Sequence, residues 1–475
     1  MNNKLMDKQS DSENLNAWKI FKFWIPLSIT WLMMATEGPL VAAVIARLAF
    51  PTYNLAAYGV AFAIALLVEA PVVMIISAST ALVKDRCSYV KLRNFIFLLI
   101  LVVTFIQLVV VIPPVFNFIA HRIIKLDPRI SSLAHLATLI MLPWPGSIGY
   151  RRFYQGILIG HQQTRKVALG TIIRLISMSA TALILYKFTN LKGAYVGTAA
   201  LSAGVSLEAA ATRFMSREIL SKLKHKFVAT ADFSYSFLIK FYYPLALTSY
   251  LILGIHPLVT YFLSQGRLSI ESLAIFPVLN SLVFIFRSFG FSYQEVGIAL
   301  LGNDYKNYQP LKSFAFKLGL STTVALALVA FTPLSMLWFH YVSGLSDILA
   351  NLAILPLSVL ILMPALTTLL SWQRSFLVKA GCTYPITIAT GLEVFILILV
   401  LYVGINLWGM VGINAAAFAL LLGRISANIY LFIPYYRIKK RKDIISDKFA
   451  KLPSIMNWSR RLYHGRVTPL KTKGP

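Results

Sequence analysis

Acidic residues are scarce in this chain of 475 residues: 17 Asp+Glu stand against 45 Lys+Arg, a formal charge of +28. Charge of either sign is scarce too, at 13% of residues against about 25% in an ordinary soluble domain. The two cysteines, Cys87 and Cys382, are too few for a disulfide framework or a metal cluster, and no CxxC, HExxH, GxGxxG or Walker A run occurs. No sizeable polar loop is present to carry an enzyme's acids or a nucleophilic His, so a membrane-embedded transferase is disfavoured and no catalytic residue is assigned. What is abundant is apolar: 58% of the residues. Such a chain is neither disordered nor a nucleic-acid binder, whose bases sit on a polar surface. A polytopic membrane protein with basic loops remains.

Apolar stretches of about 20 residues predict twelve transmembrane helices, near 20–46, 55–83, 95–119, 131–150, 167–187, 191–212, 237–263, 272–300, 313–339, 349–371, 383–404 and 408–434. The first is expected to be retained, since no short apolar region with a cleavage site precedes it. Pro39, Pro71, Pro257 and Pro364 are candidate kinks. Lys and Arg gather in KDRCSYVKLR (84–93), RRFYQG with HQQTRK (151–166), RFMSREILSKLKHK (213–226) and YRIKKRK (436–442). These loops share one side of a twelve-span topology. The opposite loops carry few bases, the His121–Arg129 loop excepted. The positive-inside rule then puts both termini in the cytoplasm of a cell-membrane protein.

An internal repeat divides the chain. KFWIPLSIT (22–30) matches KFYYPLALT (240–248), and the same offset of 218 sets GPLV (38–41) on HPLV (256–259) and NLAAYGV (54–60) on SLAIFPV (272–278). An offset of 219 pairs QGILIGHQQT (155–164) with RSFLVKAGCT (374–383), and LKGAYVG (191–197) aligns with LWGMVG (407–412) across a one-residue gap. The expected organisation is a cytoplasmic tail (1–19), a six-helix bundle (20–212), a basic linker (213–236), a second six-helix bundle (237–434) and a basic tail (435–475). Parallel repeats of this kind surround an axis along the membrane normal, with a site at their interface.

Ionisable groups inside the spans are costly and mark cavities or partners. Glu37, Glu69, Glu208, Glu295 and Glu393 lie in predicted helices, as do Arg174, Arg287 and Arg424. The repeat sets Glu69 on Arg287, Arg174 on Glu393 and, with the gap after LKG/LWG, Glu208 on Arg424. Asn280, Phe284, Arg287, Phe291 and Glu295 form one helical stripe, facing Tyr58, Phe62 and Glu69 on the matching helix. Glu69 and Arg287 are therefore expected to meet in a central chamber, where the Arg would bind an anionic group and a Glu would compete for it or carry a proton. A permanent structural ion pair is the alternative. Glu37, Arg174, Glu393, Asn280, Glu295 and Tyr58 complete the candidate substrate or ion site, and Glu208 with Arg424 reads as a structural or gating pair. His256 is read as a satisfied polar group, and Trp18, Trp24 and Trp408 as interfacial belt residues.

FWIPLSIT (23–30), LAAYGVAF (55–62) followed by Pro71, VKDR (83–86) and GILIGH (156–161) carry a resemblance. The chain resembles the superfamily of multidrug and toxic-compound extruders and oligosaccharide-lipid flippases, and within it the progressive ankylosis (ANK) family. The resemblance implies an all-α, MATE-like fold of two pseudo-symmetric bundles and alternating-access export. For the ANK family it implies anionic cargo such as pyrophosphate, nucleotides or citrate. Cation-coupled extruders of the superfamily use Asp in the first helix or the second bundle, and this chain has none there; Glu37 and Glu69 would have to substitute. Flippases carry several bases in the first bundle's cavity, where only Arg174 is expected to lie deep. The reading is a secondary transporter, monomeric, needing membrane lipids but no cofactor or nucleic acid, exporting a small organic or phosphate-containing anion with H⁺ or Na⁺ as the coupling ion. Multidrug extrusion and oligosaccharide-lipid flipping are the alternatives.

Overall fold

The computed structural model describes residues 15–124, 126–225, 234–302 and 305–450, with side chains omitted for 441–450. Most of the expected N-terminal tail, part of the 213–236 linker and residues 451–475 of the expected C-terminal tail lie outside the described residues. Within them the chain is helical, and the sole strand-like contact is an isolated bridge between Arg267 and Val411. The first lobe runs α1 (Ala17–Ile45), α2 (Pro51–Glu69), α3 (Ile75–Leu82), α4 (Arg86–Val111), α5 (Pro113–Asn117), α6 (Pro128–Ile140), α7 (Trp144–Gly160), α8 (Thr164–Phe188) and α9 (Gly193–Met215). A short α10 (Arg217–Lys224) leads out of it. The second lobe runs α11 (Tyr235–Leu263), α12 (Ser269–Phe291), α13 (Tyr293–Leu300), α14 (Tyr308–Phe331), α15 (Leu334–Met336), α16 (Asp347–Val359), α17 (Met363–Lys379), α18 (Tyr384–Tyr402) and α19 (Gly412–Ala450).

Local chemistry sets the breaks. Asn16 caps α1, and Asp85 with Ser88 forms a capping box that starts α4. Pro71 lies in a 3₁₀ turn that parts α2 from α3, and Pro364 opens α17 after another such turn. Pro39 and Pro257 stay inside α1 and α11. Ten of the helical units are long and apolar enough to cross a membrane. The other two expected spans are α6–α7 and α9, which carry Arg151, Arg152 and Glu208; counting them, each lobe has the six helical units expected of it. The fourth span therefore does not end at 150. It continues through RRFYQG to Gly160, and Arg151 is buried rather than set in a cytoplasmic loop.

The repeat extends well beyond the matching sequence. Under the 218 offset, Phe50 and Leu268 take the same left-handed conformation just before α2 and α12 (φ 53° and 50°). Under the 219 offset, the π-helical turns Phe118–Ile123 and Leu337–Val342 coincide, as do the positive-φ residues Gln162 and Gly381. Asn54 Oδ1 accepts from the Ala194 amide at 3.0 Å, and its counterpart Ser272 Oγ accepts from the Ile413 amide at 3.1 Å. Gly193 packs on Ile45 and Asn54, as Gly412 packs on Leu263 and Ser272. The 219 offset thus carries into α9 and α19, and the LKG/LWG alignment with its gap is corrected. Arg424 corresponds to Val205, not to Glu208, because the offset of 219 found around α7 and α17 continues into α9 and α19 with no gap.

Among the described residues, the hydrogen bonds between the lobes gather at one end, the end holding the start of α1. There Trp24 Nε1 donates to Ser292 Oγ (2.9 Å) and the Phe289 carbonyl (3.2 Å). Its repeat mate Tyr242 donates through its hydroxyl to the Pro71 carbonyl, the mate of Phe289 (2.5 Å). Between these mirrored bonds Ser77 donates to Glu295 (3.0 Å), its own counterpart under the 218 offset, so this contact straddles the pseudo-two-fold axis. Trp31 stacks on Phe291 (ring centroids 5.4 Å apart) above them. One apolar core runs from the first lobe into the near half of the second, including Trp24, Ile148, Tyr293 and Trp372. The far half of the second lobe has its own core around Val259, Ile275, Leu326 and Ile413. In the far halves of α1, α2 and α11, a Cβ built on Gly38, Gly59 or Gly254 would meet nothing.

Candidate functional site

Each lobe contains a cluster of buried charge. In the first lobe Arg174 of α8 pairs with Glu37 of α1 and lies 3.7 Å from Glu208 of α9. Arg151 of α7 donates to Glu208 at 2.7 Å, and Gln155 (3.0 Å) and Thr171 (3.3 Å) donate to its other oxygen. Glu208 is fully buried and Arg151 is 2% exposed, so only this dense set of donors makes the ionised pair tolerable. Glu69, at the end of α2, accepts from Trp144 Nε1 at 2.5 Å. Trp144 also faces the Arg174 guanidinium (5.9 Å to the ring centroid) and packs edge-on against Phe62, which stacks on Tyr58. Arg152 lies within electrostatic reach of both Glu69 and Glu295.

In the second lobe Glu393 of α18 pairs with Arg424 of α19 at 2.8 Å. Arg374 of α17 donates to Thr390 Oγ1 at 2.8 Å, and Arg287 of α12 donates to Thr367 Oγ1 at 3.3 Å while facing the Phe291 ring. Arg287, Arg374 and Arg424 all lie in the field of the single Glu393. The Nε atoms of Arg374 and Arg424 are buried without a partner among the described residues.

Several sequence expectations change here. Glu69 and Arg287 do not pair: each is held inside its own lobe, by Trp144 and Thr367 respectively. Arg174 and Glu393, repeat mates, likewise find partners within their lobes. Glu208 and Arg424 do not form one pair but belong to separate clusters. The physical reason is common to all: the partners lie on helices packed directly against each other within one lobe, α1 on α8, α7 and α8 on α9, and α18 on α19, which brings donor and acceptor within reach. Glu295 leaves the stripe that contains Asn280 and Arg287, because the helix breaks at Ser292 and sends it to Ser77 at the closed end. Asn280 stays on the Arg287 face of α12, half-buried.

Two buried bases, Arg151 and Arg374, and the half-buried Arg152 carry no signal in hydropathy: Arg151 and Arg152 read as part of a basic loop, and Arg374 lies just past the expected end of a span. Arg174 is thus not the only deep base of the first lobe. The repeat held a signal for Arg374, since it aligns with Gln155 and both side chains are buried.

No protein-family model matches the sequence, and no curated protein matches it significantly. Solved structures do match. A mutant of the Vibrio cholerae MATE transporter VcmN superposes with a TM-score of 0.72 at 16% identity, covering 90% of this chain and 97% of that one. An outward-facing multidrug resistance MATE family transporter of the MOP superfamily gives 0.70 at 16% identity, covering 91% and 97%. A MOP superfamily transporter from Pyrococcus furiosus, described as having a binding pocket of reversed polarity that suggests a different function, gives 0.70 at 15% identity, covering 90% and 97%. At these identities the likeness concerns architecture, and the chain has the all-helical, two-lobed fold of the MATE transporters.

Proposed function

We propose that the protein is a secondary active transporter working by alternating access between its two lobes. The observation that carries this reading is the confinement of interlobe bonding to one end: Trp24, Tyr242 and Ser77–Glu295 close it, while the far halves hold separate cores. With the N-terminus in the cytoplasm, as the loop bases favour, this arrangement would be an outward-facing state. Rocking would break the Trp24 and Tyr242 bonds and form contacts at the other end. The charge clusters, each contained within a lobe, would move with their lobes.

The charge balance favours an anionic cargo. The first lobe sets three guanidinium groups (Arg151, Arg152, Arg174) against three carboxylates (Glu37, Glu69, Glu208); the second gathers three (Arg287, Arg374, Arg424) around Glu393 alone, its other buried carboxylate, Glu295, being turned to Ser77 at the closed end. An excess of positive charge in a low-dielectric lobe is costly unless an anion compensates it. A small organic or phosphate-containing anion at Arg287 would do so. Glu37 and Glu69 are the groups through which H⁺ or Na⁺ would couple. A second reading, extrusion of cationic drugs, is supported by the names of the structural relatives, one of which is a multidrug resistance MATE family transporter. It would use the same two carboxylates.

Flux into proteoliposomes separates these. The anion reading expects uptake of labelled citrate, pyrophosphate or nucleotide that Arg287→Ala lowers at least tenfold with unchanged yield of folded protein. Transport of cationic dyes unaffected by Arg287→Ala, with no anion flux, would establish the drug-extrusion reading instead.

A further inference from the structure

One face of α4 carries two adjoining hollows of opposite character. At its start, Arg86, Tyr89, Val90 and Arg93 combine with Lys224 and His225, at the end of α10, around a pocket of about 450 Å³. None of these lining residues is acidic. The acid of α10, Glu218, points to Lys222 (2.7 Å) and Lys166 (3.9 Å), and these lysines hold its carboxyl below the usual carboxylate range. Further along α4, Phe97, Ile100, Leu101, Thr104, Phe105 and Leu108 line an almost wholly apolar groove of about 730 Å³, closed by Leu142 and Tyr150.

The spacing joins the two. Residues 86, 89, 90, 93, 97, 100, 101, 104, 105 and 108 recur at three and four, one continuous stripe of a helix. From Phe97 to Leu108 the stripe rises ~16 Å at 1.5 Å per residue, about half the ~30 Å hydrocarbon core of a bilayer. The basic pocket therefore sits where a headgroup lies, and the groove is one leaflet deep. Phe97, Leu101 and Phe105 are exposed along it, so the groove opens outward, away from the lobe interior.

We propose that this face binds one anionic phospholipid, its phosphate held by Arg93 and Lys224 and an acyl chain laid along the Phe97–Leu108 groove. Charge complementarity selects the occupant: a zwitterionic lipid brings a cation into a pocket already lined by bases, and a soluble phosphate leaves the groove empty. Basic pockets between helices at the cytoplasmic face bind lipid headgroups on the same principle. In the second lobe the equivalent place is covered: the counterpart of Tyr89, Tyr308, lies under α19, whose Tyr435 hydroxyl lies 2.5 Å from that of Tyr308 and whose Lys439 lies over its ring.

Native mass spectrometry of the full-length chain in detergent, titrated with phosphatidylglycerol, phosphatidylcholine or inorganic phosphate, tests this. One phosphatidylglycerol per chain should persist, and Arg93→Gln and Lys224→Gln should each weaken it roughly fivefold, about thirtyfold together. Thr104→Trp, which fills the groove and leaves every charge in place, should also weaken it. Equal binding of phosphatidylcholine, full binding by the doubly neutralised variant or by Thr104→Trp, or displacement by inorganic phosphate would overturn the proposal.

Discussion

Glu208 is the residue on which the first lobe's charge cluster turns, since Arg151, Arg174, Gln155 and Thr171 all converge on it. Removing one partner of a buried pair leaves a charge uncompensated and costs about 3–5 kcal/mol. Arg151→Met should therefore lower the unfolding temperature of the detergent-solubilised protein sharply, and adding Glu208→Gln to it should recover part of the loss. Glu69 and Arg287 call for a different test. They have separate partners in separate lobes, so the stability effects of Glu69→Gln and Arg287→Ala should add to within about 0.5 kcal/mol in a double-mutant cycle. A large coupling energy would mean that the two meet in a well-populated state. The buried charges were legible in the sequence as isolated ionisable residues in apolar runs. Their partners were not, because a helix hides which of its faces a distant residue meets, and because Arg151 and Arg152 resemble a loop once hydropathy has ended the span.

At the scale of elements, equivalent helices pack by the same contacts with the residues exchanged. In the first lobe Gly156 of α7 admits Ser79 of α3; in the second, Gly297 of α13, the mate of Ser79, admits Ser375 of α17, the mate of Gly156. Either way one small residue per crossing lets the helices approach closely. Gly156→Ala places a methyl against the Ser79 side chain and the Ile76 carbonyl and should cost about 1–3 kcal/mol. Ser79→Gly in the same chain should restore part of that, the carbonyl contact remaining, as melting curves of the three variants would show. The repeat was legible where proline and aromatic runs survived, in α1–α2 and α11–α12, and around α7 and α17. It was not legible where only backbone shape is kept, as in the paired π-helical turns, because many sequences satisfy one backbone path.

For the whole molecule, the closed end is the part that must open for transport by rocking lobes. Cysteines introduced at 77 and 295, with Cys87 and Cys382 replaced, should allow a short cleavable thiol cross-linker to stop flux, and cleavage should restore it. Unchanged flux in the fully cross-linked protein would mean that this end does not open. The same contact has a consequence for how the chain is built. A pair of residues that maps onto itself across a two-fold axis must be identical in an assembly of two identical halves. Two serines could meet there, but two glutamates would set like charges against each other. A single carboxylate on the axis, with a donor on one side and an acceptor on the other, is open only to an assembly whose two halves differ, and a chain that carries both halves meets that condition. Ser77 and Glu295 thus mark a place where fusing two similar halves permits chemistry that a homodimer of either half could not hold.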